Sequence, residues 1–335
     1  MEQLQERTYM GFGEQDGSFT VGEKNPWHKL GKHFETAPSI EEGIKAAGLD
    51  YNIELKDLQT VDGINVPQKA VVRTDINKSL GIVSKSYNIL QNKEAFNFFE
   101  PFIENGLATL ESAGSLYNGR KVFVLAKITG DDMEIMPGDR VQKFILLSNS
   151  HDGGSAIRVG FTGIRVVCSN TLTMAHSGKN SQLIRVYHTK GVQQTIEEIR
   201  MTMDLVNQQF TTTEERYKEL AKKSMNVADF KKYIKAVTSK ESLEKLLRET
   251  PTLEDDSQVT QFTEEEVEEG RNRLIKRVEE VFELEPVHNR WTAYNAVNYY
   301  INHERSRNVE SRYNSLWFGD AKKLDQRALE LAERI

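Results

Sequence analysis

The feature that most restricts the fold of this 335-residue chain is a series of very short turns between strand-like segments. Asn118-Gly119, the favoured pair for a type I′ hairpin turn, separates ESAGSL from KVFVLAKI. Asp152-Gly153-Gly154 and Thr162-Gly163 separate FILLSN, SAIRVGF and IRVVC in the same way. Parallel strands need a crossover of roughly a dozen residues, so links this short require antiparallel neighbours. Residues 107–168 are therefore predicted to form an antiparallel sheet of about four or five strands.

Helical patterns flank this sheet on both sides. Ser39 and Glu42 form a capping box at the start of a short helix that Gly48 terminates. Pro101 is expected to kink or divide the helix that begins at Asn92. From Gln193 onward the apolar spacing is almost wholly helical. The predicted fold class is therefore α+β, an antiparallel sheet of hairpins flanked by helices and followed by a mostly helical C-terminal region.

Shorter segments complete this prediction. SNTLTMAHSG (169–178) is expected to form a helix after the sheet, capped by Ser169 or Asn170. Their β-branched content and bounding turns predict further strands at YNIEL (51–55), KAVVRT (69–74), GIVS (81–84) and LIRVYH (183–188). The pattern as a whole divides the chain into an N-terminal segment (1–24), an α+β core (25–190), a helical region (191–249), an acidic linker or flap (250–270) and C-terminal helices (271–335).

The charge of the chain is segregated along the sequence. The formal net charge is −6. Residues 254–270 contain eight acidic residues and no basic one. Residues 140–190 contain one acid, Asp152, against seven basic residues: Arg140, Lys143, Arg158, Arg165, Lys179, Arg185 and Lys190. A local excess of positive charge in an acidic chain favours a polyanionic ligand for this segment.

Strand alternation predicts where these basic side chains point. Arg158 and Arg165 alternate with apolar residues on either side of the Thr162-Gly163 turn, so both are expected on the outer face of one hairpin. Arg185 alternates in the same way with Ile184 and Val186. Such a face suits nucleic-acid phosphates, and a solvated sheet face is the plainer alternative. The predicted nucleic-acid-binding residues are Arg158, Arg165, Arg185, Lys143, Lys179 and Lys190.

Metal and catalytic sites are less well supported by spacing. His151, Asp152, Cys168, His176 and His188 lie close along the chain, but no CxxC, HExxH or HxH motif occurs, so no metal site is predicted. Ser148, Ser150, His151 and Asp152 resemble a triad only in composition, because adjacent strand residues point to opposite faces. No GxSxG, GxxxxGK[ST] or GxGxxG motif is present. No catalytic residue and no cofactor are therefore predicted.

Cysteine content and hydropathy bear on the compartment. The single cysteine, Cys168, cannot form an intramolecular disulfide, which suits a reducing cytoplasm. No apolar run approaches the ~20 residues needed to span a bilayer, so no membrane association is expected.

Several longer segments resemble a known family. The segments, in chain order, are NPWHKLG (25–31), AGLDY (47–51), LGIVSKSYNILQNKEAF (80–96), ESAGSLYNGRKVFVLAKI (111–128), LLSNSHDGGSAIRVGFTGIRVVCSNTL (146–172), AYNAVNYYINHERSR and SLWFGDAKKLDQRALELA. Over about residues 25–335 they resemble the phage/plasmid-like protein family, whose core is a domain of unknown function. The resemblance implies a phage or prophage in a bacterial cytoplasm and supplies no catalytic residues.

The order of a helix, an antiparallel hairpin sheet and a further helix is also similar to the single-strand-annealing recombinases. In those proteins a sheet and a following helix form a basic groove, and oligomers hold single-stranded DNA on a ring or filament. This chain departs from them because SNTLTMAHSGKNS carries only Lys179 as a basic residue.

Two functions follow as hypotheses. The first is a non-enzymatic, homo-oligomeric protein that binds single-stranded nucleic acid in phage recombination or replication, with the acidic stretch 254–270 competing for the basic face. The alternative is a phage accessory or anti-defence protein that binds a host protein or a small nucleotide.

Overall fold

The structure, a computed structural model, divides the chain into two compact units. Unit 1 comprises Met1–Asp132, Gln142–Thr162 and Gly178–Gln208, and unit 2 comprises Met133–Val141, Gly163–Ser177 and Gln209–Ile335. The predicted segment boundaries stay predictions. The residues described are 18–21, 32–34, 36–165, 170–173, 184–201, 206–239, 264–305, 311, 314–316 and 320–335.

A mostly antiparallel sheet forms the centre of unit 1. Its strands are β1 (Ser18–Val21), β2 (Lys32–Phe34), β6 (Ala108–Leu116), β7 (Lys121–Ile128), most of β9 (Asp139–Ser150), most of β10 (Ile157–Arg165) and β12 (Ile184–Val186). Their order is β2-β1-β6-β7-β9-β10-β12, with β1 and β2 parallel. The antiparallel ladders β6·β7 and β7·β9 confirm the predicted sheet and the α+β class.

Three helices and a second sheet precede β6 in the chain, and a fourth helix follows β12. The helices are α1 (Ile40–Ala46), α2 (Asn92–Asn97) and α3 (Glu100–Glu104), and α4 (Val192–Met201) follows β12. The second sheet is β3 (Ile53–Gln59), β4 (Asn65–Arg73) and β5 (Lys78–Val83), all antiparallel. The Ser39–Glu42 capping box is confirmed, and Pro101 lies in the first turn of α3, so the predicted division of that helix is confirmed.

The hairpin turn between β6 and β7 is confirmed in its backbone angles. Asn118 has a φ of 58° and Gly119 a φ of 93°, as a type I′ turn requires, and the Arg120 amide donates to the Tyr117 carbonyl at 3.3 Å. A Cβ at Gly119 would collide with the hydroxyl of Tyr51. Gly119 is therefore required for both its backbone angle and its lack of a side chain.

Gly119→Ala is expected to lower the free energy of unfolding by about 2–4 kcal/mol, because strain at positive φ adds to the collision with Tyr51. Gly63→Ala is the matched control, since Gly63 has a φ of 83° with open space around it and reports the strain alone. Urea unfolding followed by circular dichroism measures both. Equal losses in the two variants would contradict the collision.

A β-bulge in β6 places a carboxyl group in the core of unit 1. The register of β6 with β7 shifts between Leu110 and Ser112, and Glu111 between them is 8% exposed. Burial raises the pKa of the Glu111 carboxyl to about 7, and Lys127 opposes this only in part. The folded state therefore disfavours the ionised carboxylate that the unfolded chain carries above pH ~4.5.

Because the pKa of Glu111 is higher in the folded state, its cost is absent below pH ~4.5, grows as the pH rises and is complete above about pH 7. Glu111→Gln is expected to be more stable than wild type by about 2–3 kcal/mol at pH 8, with no such gain at pH 4. Chemical denaturation of both proteins at the two pH values measures the difference. A gain that does not change with pH would show that ionisation of Glu111 is not its source.

Unit 2 is largely helical. It contains β8 (Met133–Met136), the first residues of β9, the end of β10 and β11 (Asn170–Thr173). Its helices are most of α5 (Val206–Lys222), α6 (Val227–Val237), α7 (Glu264–Glu283), α8 (Arg290–Tyr299), which continues as a π-helix over Tyr300–Glu304, and α9 (Asp320–Arg334). Buried aromatic rings form its core, among them Trp291, Tyr217, Tyr294, Phe230 and Phe282. The predicted helical C-terminal region is confirmed in the described residues.

Two local predictions are wrong. Asn170–Thr173 is a strand, where a helix over 169–178 was expected, and the rest of that segment lies outside the described residues. Thr162-Gly163 is not a turn, because β10 runs unbroken from Ile157 to Arg165. The described part of the chain contains no helix long and apolar enough to cross a bilayer.

Candidate anion-binding site

Two of the predicted arginines lie side by side in unit 1. Strand β12 pairs antiparallel with β10, and the register places Arg158 opposite Arg185. Residues directly opposite in an antiparallel pair have Cβ atoms about 5 Å apart and share one face of the sheet. Arg158 is half-buried and Arg185 is exposed, whereas Ile157 and Val159 beside Arg158 are fully buried. Like charges in this position repel each other, so the pair is a local electrostatic cost.

A third cation, Lys121, extends this pair. Lys121 is the first residue of β7 and is opposite Ser150 on β9, the strand between β7 and β10 in the sheet. Burial lowers the pKa of the Lys121 ammonium, and the charge on Arg158 lowers it further while Asp152 acts against both. Burial likewise lowers the pKa of Arg158, and Arg185 adds to that effect. The three charges therefore interact as one set, which we call the cationic cluster (Lys121, Arg158 and Arg185).

The acid beside this cluster is held in a turn. The Asp152 Oδ1 atom accepts a hydrogen bond from the Ser150 hydroxyl and another from the Gly154 amide at 2.8 Å. Gly81 of β5 packs directly against this turn, since a Cβ there would lie 2.7 Å from the Cα of Asp152. The position of Asp152 is thus set by its own turn and by β5. Its negative charge acts on the Lys121 ammonium.

The structure does not bring the other predicted residues to this cluster. Lys143 is seven residues from Ser150 in β9, and this odd spacing places it on the opposite face of the sheet. Lys190 is exposed in the turn before α4. Lys179 lies outside the described residues. Lys121 and Asp152 were not predicted as site residues. They come close to the arginines through the order of β7, β9 and β10 in the sheet, which the local sequence pattern does not reveal.

The prediction that Arg165 lies on the same outer face as Arg158 is wrong. In the unbroken β10 the two residues are seven apart, and an odd spacing places them on opposite faces of the strand. Arg165 is 4% exposed and makes hydrogen bonds to two carboxylates within unit 2. Its Nε and Nη2 atoms donate to Asp139 at 2.8 Å each, and its Nη1 atom donates to Glu285 at 2.7 Å. Trp291 Nε1 also donates to Asp139, at 2.8 Å, so Arg165 is fixed as a structural residue.

Arg165→Ala is expected to destabilise the protein by about 3–5 kcal/mol, because it leaves the buried Asp139 and the half-buried Glu285 without their cation. Arg277→Ala is the control, since the Arg277–Glu304 pair is more exposed, with side-chain exposures of 39% and 26%. Exposed pairs contribute about 0–1 kcal/mol. Thermal unfolding of the two variants measures the contrast, and similar melting temperatures would argue against a structural role for Arg165.

The buried histidines of unit 1 have structural partners. His151 is fully buried, and its Nε2 atom is 2.9 Å from the Asn92 side-chain oxygen. Burial, with a smaller contribution from the nearby His188, lowers the pKa of His151 to about 3. His188 stacks on Tyr87 with ring centroids 4.4 Å apart, and its Nδ1 atom bonds to the Asn88 carbonyl. His151 therefore stays neutral at physiological pH and bonds to an amide.

These contacts bear on the metal and catalytic alternatives. Ser150 donates to Asp152 while His151 bonds to Asn92, so the described contacts do not form a serine–histidine–aspartate relay. Within the described ranges, no three or more histidine, cysteine, aspartate or glutamate side chains are grouped to hold a metal. Cys168 and His176 lie outside those ranges.

Comparison with known proteins places the chain in a family. The model of the Domain of unknown function (DUF932) matches residues 79–317, about seven-tenths of the chain. The chain belongs to this family. The match includes the cationic cluster and the Arg165 contacts, so both lie in the DUF932 part of the protein. No curated protein and no solved structure gives a match.

Proposed function

We propose that this DUF932 protein binds single-stranded nucleic acid, without catalysis, through phosphate contacts made by Lys121, Arg158 and Arg185. The observation that carries the proposal is the register of β10 with β12, which places two arginines directly opposite each other beside a third cation. Arginine is well suited to phosphate, because its planar fork of donors can make two parallel charge-assisted hydrogen bonds.

Repulsion within the cluster supports an anionic ligand. Arg158 and Lys121 are half-buried, and burial and a neighbouring positive charge lower the pKa of each. Within the described residues, no carboxylate forms an ion pair with Arg185. A phosphate between these cations would offset both the desolvation and the mutual repulsion.

An exposed aromatic ring favours an unpaired strand over a duplex. Tyr187 follows Arg185 by two residues and is 67% exposed. Large exposed aromatic side chains beside basic residues are typical of single-strand binders, where bases stack on the rings without sequence preference. A duplex buries its base faces in its own stack and offers no such contact.

The biological setting belongs to the same proposal. The resemblance to the phage/plasmid-like proteins, and the weaker one to the single-strand-annealing recombinases, supports a homo-oligomer acting in phage recombination or replication. The acidic stretch 254–270 would compete with nucleic acid for the basic residues. Residues 264–270 of that stretch lie in helix α7, and the remainder lies outside the described residues.

One observation favours the second candidate, an accessory protein that binds a small nucleotide. The cationic cluster is compact, because Arg165 and Lys143 do not extend it along the sheet face. A compact cluster suits one phosphate group better than a long backbone track. Binding of thymidine 5′-monophosphate without binding of an oligonucleotide would favour this second candidate.

Arg185→Ala is expected to weaken binding of a fluorescent single-stranded oligonucleotide by roughly 5–10-fold at low salt, because a phosphate contact is lost. The slope of log affinity against log salt should become shallower by about 0.7, the value for one phosphate on a single strand. Fluorescence anisotropy at several salt concentrations measures both quantities.

Lys78→Ala is the matched control, since Lys78 is an exposed cation of unit 1 on the separate β3-β4-β5 sheet and should change neither quantity. Undetectable binding by the wild-type protein at low salt would end the proposal. An equal loss in the Lys78 and Arg185 variants would mean that binding depends on overall charge and not on the cluster.

A further inference from the structure

Two buried histidines of unit 1 join three segments of its chain. His151 follows β9, and its Nε2 atom is 2.9 Å from the Oδ1 atom of Asn92, the first residue of α2. His188 follows β12, and its Nδ1 atom is 2.9 Å from the Asn88 carbonyl. The Asn88 amide donates back to the His188 carbonyl at 2.9 Å, and the ring of His188 stacks on Tyr87. The residues from Tyr87 to Asn92 are thus held to the end of β9 by one imidazole and to the end of β12 by the other.

The hydrogen-bond partners fix which nitrogen of each ring carries the proton. The Nδ2 atom of Asn92 donates to the Leu49 carbonyl at 3.1 Å, so its Oδ1 atom accepts from Nε2–H of His151. A backbone carbonyl can only accept, so Nδ1–H of His188 donates to Asn88. The second ring nitrogen of each histidine, Nδ1 of His151 and Nε2 of His188, is therefore a lone pair. Both atoms are buried, and neither has a hydrogen-bond partner among the described residues.

Protonation would turn each of these lone pairs into a donor without an acceptor in the described part of unit 1. A buried donor without a partner costs free energy, and a buried charge costs more. Two imidazolium groups would also repel each other, since the charge of His188 acts on His151. Burial lowers the pKa of both imidazoles, and the Asn88 carbonyl offsets this only in part for His188. The folded arrangement therefore requires both rings to be neutral.

The charged and titratable groups on the surrounding elements do not favour protonation of the pair. Asp152 follows His151, but its Oδ1 atom is bonded within its own turn. Tyr87 stays a neutral phenol, because burial and the charge of Asp152 raise its pKa. Glu94 of α2 accepts from the backbone amide that precedes its own helix. The basic residues on the adjoining strands and turns would repel a further cation; they are Arg120, Lys121, Arg185 and Lys190.

From the burial and the tautomers of this pair we infer that His151 and His188 form an acid-sensitive latch, which holds β12 and α4 against residues 87–92 at neutral pH and releases them in mild acid. The Gln193 side chain donates to the Ile89 carbonyl at 3.2 Å, so the contact that would be released extends from β12 into α4. The latch does not depend on nucleic-acid binding. Because β12 carries Arg185, its release would also act on the cationic cluster, and that consequence alone rests on the proposed function.

Hydrogen–deuterium exchange of the full chain, read by mass spectrometry, measures the opening of residues 184–193 and 84–92. Protection factors, which correct for the slower exchange chemistry in acid, are compared at pH 8 and pH 5. A histidine that is neutral when closed and has its ordinary pKa of 6.5 when open raises the open population by up to about 30-fold over this interval. With two such histidines, the wild-type protein is expected to lose more than about 30-fold and up to about 1000-fold of its protection in these peptides.

His188→Gln removes one of the two titrating rings and keeps a neutral side-chain donor for the Asn88 carbonyl. Its loss of protection between pH 8 and pH 5 is expected to be smaller than that of wild type and to fall to about 30-fold, the share of His151. The ratio between the two pH values cancels any weakening that the substitution causes at both. His288→Gln is the matched control, because His288 is an exposed histidine of unit 2 and its replacement should leave the ratio unchanged.

Three outcomes would overturn the latch. An equal dependence on pH in wild type and His188→Gln would show that His188 takes no part in it. A loss of protection below about 10-fold in the wild-type protein would show that the two rings do not stay neutral in the closed form. An equal loss in the central strands β6 and β7 would show that acid unfolds the whole unit and does not release one segment.

Discussion

Side chains alternate between the two faces of strand β10 with a period of two residues, and this alternation determines where its charged residues lie. The strand is unbroken over nine residues, so Arg158 and Arg165 point to opposite faces. One arginine pairs across the sheet with another arginine, and the other contacts two carboxylates. Arginine therefore has two different roles in one strand. The face of the strand on which each arginine lies decides its role.

The two arginines also differ in their charged neighbours. Arg165 is almost inaccessible, but Asp139 and Glu285 satisfy its donors in bidentate fashion, so its charge is compensated inside the fold. Arg158 is less buried, and the charged groups that shift its pKa and that of Lys121 beside it include two cations. A folded protein tolerates such a cluster when the repulsion is modest or when an anion relieves it. The proposed phosphate contacts rest on the repulsion between the opposed arginines.

Local signals predicted the elements of this fold well. Ser39 and Glu42 form the capping box that begins α1, Pro101 separates α2 from α3, and Asn118-Gly119 forms the expected hairpin turn. Each depends on residues a few positions apart, where propensity and hydrogen bonding act directly. Thr162-Gly163 was wrongly predicted to be a turn. A glycine beside a β-branched residue occurs both in turns and in strands where another backbone approaches closely.

The site was harder to predict, because its partners are distant in sequence. Glu285 is 120 residues from Arg165, and Asp139 is 26 residues away, so alternation alone left Arg165 on an open face. Lys121 joins the cluster through the strand order, which no local pattern encodes. Arg158 and Arg185 were correctly placed on one face, since both depend only on alternation within single strands.

Glu111 and His151, two of the buried titratable groups of unit 1, have opposite effects on acid tolerance. Glu111, with a pKa of about 7, makes the fold more stable as the pH falls, while His151, with a pKa of about 3, makes it less stable below its ordinary value of 6.5. Over the interval from about 4.5 to 6.5 the two slopes nearly cancel. In mild acid, the stability gained at the carboxyl of Glu111 therefore offsets the stability lost at the imidazole of His151, although the two groups need not touch.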